Sequence, residues 1–203
     1  MTKNKDPLNI IITGVGGQGN VLLSQFVGKA LVREGYHATI GETYGASQRG
    51  GAVMSHLRVS RDTQYGPLIA QGQADIVLGL EPLETMRVLS QYGNSEVVVI
   101  TNSRPIFPVA VTTGEGVYPS PEQIQSTLEA LSSKCWVVDA TEIALEMGAP
   151  ILANIIMMGA LVGAGLLPIG AAAFEAELRD SFAGERLETN LAAFRRGMSL
   201  TAS

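Results

Sequence analysis

Apolar positions along this chain fall into short unbroken runs separated by longer stretches of helical period. Residues 8–13 are mostly apolar and rich in isoleucine, which predicts a strand buried on both faces. The run enters Gly14-Val-Gly-Gly-Gln-Gly19 directly, and Val21, Leu22, Phe26, Leu31 and Val32 then recur with helical spacing up to Gly35. Residues 37–41 read as a second strand. Residues 53–59 alternate Val53, Ser55, Leu57 and Val59 against Met54, His56 and Arg58, a third strand with unlike faces.

The theme repeats downstream. Residues 75–80 (DIVLGL) form a strand, followed by a helix over 81–91 with Pro82 in its first turn and Glu81 and Glu84 at the positive end of its dipole. Residues 96–101 (EVVVIT) are another strand, and a proline-punctuated segment covers 104–118. Ser120-Pro-Glu-Gln123 fits a capping box that opens a helix to about Ser133. Residues 136–139 (WVVD) are the last strand, and four helices follow, over 141–147, 150–165, 169–182 and 187–198. This alternation predicts an α/β three-layer sandwich: a Rossmann-like, largely parallel central sheet with helices on both faces and a helical C-terminal part. A single domain over 1–203 is expected, with disordered ends at about 1–6 and 199–203. Ligands should bind beyond the carboxyl ends of the strands, where residues 13–20, 42–51, Glu81 and 101–104 could meet.

The stretch IIMMGALVGAGLLPIGAAAF approaches membrane-span length at about 20 residues. Gly163, Gly165, Pro168 and Gly170 interrupt it, so a buried helix, a turn and a second helix are expected instead of a span. The N-terminus lacks the pattern of a signal peptide, and a cytoplasmic location follows as the expectation. Only 16% of residues are charged, against about 25% in an average soluble chain, which points to a surface covered by a partner subunit. A net charge of -5 without a Lys/Arg cluster excludes a nucleic-acid backbone as main ligand. One cysteine, Cys135, cannot hold an iron-sulfur cluster, and two histidines, His37 and His56, leave little for a transition metal, so no metal site is expected.

The glycine run matches G-x-G-x-x-G after a strand and opening a helix, with Glu42 placed like the ribose-binding acid of a dinucleotide fold. Gly14, Gly16, Gly17, Gly19 and Asn20 therefore read either as an anion or nucleotide site for NAD(P) or FAD, or as a tight connection that only packs. Arg49, in TYGASQRGG, is flanked by Gln48 and by Gly50-Gly51. It can grip a carboxylate or phosphate in bidentate fashion, pair with a surface acid, or stack on Tyr44. Gly50 and Gly51 also permit close contact with another chain. His56 is expected to be a core or interface histidine, Cys135 an inert buried thiol, and Gly159-x-x-x-Gly163 a close-packing surface in the core or between subunits.

GVGGQGN after the first strand, with ETYGASQRGGAVMSHLRVS following the helix and second strand, resembles the gamma-type subunits and domains of the 2-oxoacid:ferredoxin oxidoreductases, nearest the small beta subunit of the indolepyruvate type. The resemblance extends through WVVDAT and the Asn154-centred helix. It implies an enzyme that decarboxylates a 2-oxoacid on thiamine diphosphate with Mg, passes electrons through iron-sulfur clusters to ferredoxin, and yields acyl-CoA. It further implies that those cofactors belong to a larger alpha subunit and that this chain, which carries no thiamine-binding GDG motif, binds none of them alone. It makes Gly14, Gly16, Gly17, Gly19, Asn20 and Arg49 the contacts for a coenzyme A phosphate or a substrate carboxylate, with Tyr44, Gln48, Gly50 and Gly51 as loop or interface positions. Indolepyruvate-type subunits often carry histidine where Tyr44 stands, which keeps gamma subunits acting on pyruvate, 2-oxoglutarate or 2-oxoisovalerate open. A self-contained NAD(P)-dependent reductase or nucleotide-binding module is the alternative from another class.

Overall fold

A computed structural model of the protein describes residues 5–44 and 51–202. The first strand, β1 (Leu8–Val15), is buried throughout and leads through the glycine turn into α1 (Asn20–Arg33). Then come β2 (His37–Tyr44), β3 (Ala52–Ser60), β4 (Ile76–Gly79), α2 (Pro82–Tyr92) and β5 (Val98–Asn102). A single turn, α3 (Val109–Thr112), precedes α4 (Pro121–Ala130), β6 (Lys134–Val138) and α5 (Ala140–Glu146). The chain ends in α6 (Ala153–Gly163), α7 (Ala171–Ser181) and α8 (Gly184–Ser199).

The strands form one sheet in the order β2-β3-β1-β4-β5-β6. The pairs β1–β4, β4–β5 and β5–β6 are parallel. β3 runs antiparallel to both β1 and β2 and lies between them. Alternation along β1 divides the core as the apolar run predicts: Ile10 and Ile12 join the layer of α1 and α5 to α8, whereas Ile11 faces α2 and α4. All three isoleucines are fully buried, each contributing about 1.5–3 kcal/mol of hydrophobic stabilisation.

Local signals account for the helix starts. Glu81 caps α2 by accepting the Glu84 N–H at 2.8 Å, with Pro82 in the first turn. Ser120 and Gln123 form the reciprocal capping box of α4. The apolar stretch that approached span length divides into α6 and α7, and no helix among the described residues is long and apolar enough to cross a membrane. Residues 154–162 of α6 are all buried, as expected of a helix that is hydrophobic all round. The expected ends are tied down where described: Lys5 pairs with Asp75 at 2.7 Å, and Thr201, buried, donates to the Ala160 carbonyl at 2.6 Å.

α6 packs on α8 at backbone contact. A Cβ on Gly159 would stand 2.1 Å from the Phe194 carbonyl oxygen, and one on Gly197 would stand 2.0 Å from that of Ile156. The Gly159/Gly163 pair thus serves the core of this chain. His56 is also a core residue: Nδ1 accepts the Ile69 N–H at 3.3 Å, and the ring meets Tyr92 edge-on. Cys135 is half-buried, and burial pushes its thiol up to about 11, which makes it unreactive.

Two outcomes follow from this packing. Gly159→Ala forces two helix backbones apart and is expected to cost about 2 kcal/mol or more in urea unfolding. Gly66→Ala, where a Cβ meets nothing within 4 Å, should change stability by less than about 0.5 kcal/mol. Burial holds the His56 pKa below its ordinary 6.5, so on acidification the unfolded chain takes up this proton first. The neutral-His56 contribution is fully present above about pH 6.5 and is lost as pH falls from there toward the depressed folded-state value. Unfolding free energies measured at pH 7.5, 6.5 and 5.5 should therefore decline more steeply in the wild type than in His56→Gln; parallel declines would exclude the assignment.

Candidate functional site

The carboxyl ends of β1 and β4 lie side by side, and the chain leaves them toward opposite faces, β1 into α1 and β4 into α2. Such a divergence opens a crevice at the sheet edge. Here it is a cleft of about 700 Å³ lined by Gly17, Gln18, Gly19, Asn102, Arg104, Thr141 and Asn154, with apolar walls from residues such as Leu80, Ile106 and Met157. The glycine turn and Arg104 meet there, as the sequence anticipates.

Amide side chains knit its floor. Gln18 folds back into the turn: Oε1 accepts the Val15 N–H at 2.7 Å, while Nε2 donates to the Leu80 carbonyl at 2.9 Å. Asn102 Nδ2 donates to that same carbonyl at 3.3 Å and to Thr141 Oγ1 at 2.8 Å, and Asn102 Oδ1 accepts the Thr141 N–H at 3.3 Å. Gly14 gives Gln18 its room, because a Cβ there would stand 2.6 Å from Gln18 Oε1. The Gly16 N–H is taken by the Gly51 carbonyl at 2.9 Å.

The helix end remains open to the cleft. Gly19 is the N-cap of α1 at φ 84°, and the helix has no side-chain cap, so its first-turn N–H groups and positive dipole end have no side-chain acceptor. Gly19 is required twice over. Its backbone is left-handed, and a Cβ would overlap Asn154 Nδ2 at 2.1 Å. Arg104, at the rim, pairs with Glu142 at 3.0 Å and is half-exposed. The Asn20 side chain turns away from the cleft: Nδ2 donates to the Val53 carbonyl at 2.9 Å, and Oδ1 is buried without a partner.

Other expected positions separate from this cleft. Tyr44, 66% exposed, stands over a hollow shared with Gly16, Gly17 and Asn20, and over a second one with Glu84 and Arg87. Glu81 is buried on the α2 side, where Oε1 accepts from the Tyr118 hydroxyl and from the Ile106 N–H at 3.3 Å, tying down the proline-punctuated segment. Burial, followed by Glu81, raises the Tyr118 pKa, and burial raises that of Glu84 beside Arg87. Both acids brace structure and neither opens into the cleft. Gln48, Arg49 and Gly50 lie outside the described residues.

The dinucleotide alternative fails on topology. Because β3 separates β2 from β1, Glu42 is displaced from the glycine turn by two strand spacings, about 10 Å. Its carboxylate is also engaged beneath α1, accepting from Ser24 Oγ at 3.1 Å and Ser55 Oγ at 2.6 Å. It is not placed to hold a ribose at the turn. Asn102, Thr141 and Asn154 are the cleft residues that motif reading passed over; the one available signal was a polar Asn154 inside an otherwise apolar run.

The chain is similar in sequence and in fold to known proteins. Indolepyruvate oxidoreductase subunit IorB from Pyrococcus horikoshii is 37% identical over 191 residues, covering 94% of each chain. The protein of the same name from Archaeoglobus fulgidus is 35% identical, covering 97% of this chain and 96% of its own. In fold, the chain superposes with a TM-score of 0.74 at 22% identity on 2-oxoglutarate:ferredoxin oxidoreductase from Magnetococcus marinus, covering 98% of this chain and 31% of that one. The family model for pyruvate ferredoxin/flavodoxin oxidoreductase matches residues 9–200. A family model that matches nearly the whole length, together with relatives 34–37% identical over at least 94% of this chain, leads to one conclusion: this chain belongs to the pyruvate ferredoxin/flavodoxin oxidoreductase family.

Proposed function

We propose that this chain, as one gamma-type domain over residues 1–203, is the non-cluster subunit of a cytoplasmic 2-oxoacid:ferredoxin oxidoreductase of the indolepyruvate type. Its larger partner carries thiamine diphosphate, Mg and iron-sulfur clusters, converts an aryl 2-oxoacid and coenzyme A to acyl-CoA, and delivers electrons to ferredoxin. The observation that carries the reading is the 34–37% identity to four indolepyruvate oxidoreductase subunits named IorB over at least 94% of this chain. Pyruvate/ketoisovalerate common gamma subunits match less closely, at 29% for the Pyrococcus abyssi protein. Tyr44 is the residue that keeps a pyruvate, 2-oxoglutarate or 2-oxoisovalerate substrate as the second reading.

The chain's own residues do not fit the redox cofactors. Its one cysteine is half-buried, and among the described residues no cluster of three His, Cys, Asp or Glu side chains could hold a metal. Its part is to bind and to exclude water. The backbone at Gly17, Gly19 and Asn20, together with Arg49, contacts a coenzyme A phosphate or the 2-oxoacid carboxylate; Gly14 and Gly16, whose space and N–H are taken by Gln18 and the Gly51 carbonyl, shape the turn, and Tyr44, Gln48, Gly50 and Gly51 face the partner.

Affinity purification of the chain from its native cells should bring down a larger, brown, cysteine-rich subunit, and the pair should reduce ferredoxin with indolepyruvate and coenzyme A faster than with pyruvate. A fully active enzyme recovered without such a partner would sink the proposal. In the assembled enzyme, Arg49→Ala should raise KM for coenzyme A or the 2-oxoacid, or lower kcat, by roughly 10-fold or more, the effect of one lost charge-assisted contact. Assembly should be unchanged, and wild-type kinetics would remove Arg49 from the site.

A further inference from the structure

We propose that β6, the last strand at one end of the sheet, pairs antiparallel with β6 of a second copy of this chain, joining two sheets edge to edge about a two-fold axis at Trp136. In the order β2-β3-β1-β4-β5-β6, β6 is terminal and pairs with β5 alone. The Val138 carbonyl accepts the Ser103 N–H at 2.9 Å on the β5 side. Successive residues of a parallel ladder direct their backbone groups to alternate sides. Lys134, Trp136 and Val138 therefore serve β5, and the N–H and C=O groups of Cys135 and Val137 point outward. Unpaired groups of this kind are a template for another strand.

This edge complements itself. With Trp136 opposite its own copy, Cys135 of each chain faces Val137 of the other, and the outward N–H and C=O groups of both residues all find partners. Charge fixes the direction. Lys134 stands at one end of the strand and Asp139 just past the other, and both are exposed. Lys134 lies over the Trp136 ring at 4.1 Å and Asp139 accepts the Ser103 hydroxyl at 2.5 Å, but neither forms an ion pair among the described residues. Antiparallel pairing brings each Lys134 next to Asp139 of the second copy, whereas parallel pairing would set like charges side by side. The flanking surface is apolar: Val137, central in the strand, is 45% exposed, and Phe107, 54% exposed, shares with it a hollow of about 330 Å³ lined also by Tyr118, Pro119 and Ile124. Between residues 105 and 121 Glu115 is the one charged residue, the depletion expected of an interface core. The opposite edge, β2, leads toward Gln48 and Gly50, proposed above to face the larger subunit, and lies five strand spacings, about 24 Å, away. Both surfaces can be occupied at once.

The pairing goes beyond the subunit reading and does not rest on it, and it is tested by mass and amide protection instead of activity. Light scattering of the full chain should give the mass of two chains, falling to one on dilution. In hydrogen exchange the Cys135 and Val137 amides should be protected roughly 10-fold or more in the dimer relative to the diluted chain. Val137→Pro removes one outward N–H, a change that an edge strand tolerates, and should give a folded monomer with an unchanged far-UV spectrum. If that variant fails to fold, Val137→Lys, which places a charge at the same exposed position, decides in its place. Lys134→Asp should weaken the dimer roughly 10-fold, because it enters the interface twice, and adding Asp139→Lys to it should restore the affinity. A wild-type chain that stays monomeric would make Lys134 a guard of the edge and overturn the pairing. So would a dimer indifferent to both Val137 variants, or a charge exchange that restores nothing. A complex with the larger subunit that holds one copy of this chain overturns the pairing alone; a β6-dependent dimer that captures no larger subunit overturns the subunit reading alone.

Discussion

The carbonyl of Leu80 is the acceptor on which the cleft-bearing edge of the sheet is built. It sits at the end of β4, receives the side-chain amides of both Gln18 and Asn102, and belongs to a residue whose own N–H donates to Thr13 at 2.7 Å. Where two neighbouring parallel strands send their helices to opposite faces, the backbone between them has no ladder partner beyond the last register pair, and a buried carbonyl there must find a donor elsewhere. Gln18 supplies one and in the same stroke caps the Val15 N–H. The crevice is thereby given a rigid polar floor, and everything above it inherits its position from that floor.

This changes what the glycines are for. In a dinucleotide fold the turn is kept slim so that a pyrophosphate can approach the backbone. Here Gly14 is slim because the protein's own glutamine approaches it, and Gly19 because Asn154 does. The same short motif therefore carries two different physical demands, and only the neighbour that fills the space distinguishes them. The N-terminus of α1 is untouched by this filling, since Gln18 occupies the inside of the turn and the helix has no side-chain cap.

Much of the architecture was legible because single-segment physics decides it. The isoleucine run of β1, the proline and glutamates opening α2, the Ser120 box and the breakers at Gly165 and Pro168 are each local, and each element formed close to where its pattern placed it. Strand order is not local. The alternation of β3 declares which of its faces is buried but not which strands flank it, so the insertion of β3 between β1 and β2 was invisible, and Glu42 was placed beside a turn from which topology removes it. Asn154 shows the same limit at the site: a polar residue in an apolar helix is visible at once, but its meeting with Gly19 exists only after α6 has packed across α1.

The inner lining of the cleft is neutral, its polar side chains being Gln18, Asn102, Thr141 and Asn154. A site that binds an anion through a fixed cation buries a charge whose desolvation is unfavourable whenever the ligand leaves. A helix terminus and side-chain amides carry only partial charges, so a cleft lined by them avoids that cost. Full charge stays at the rim, where Arg104 is screened by Glu142 and by solvent. Beside Arg104 the rim is apolar, at Leu22 and Ile151.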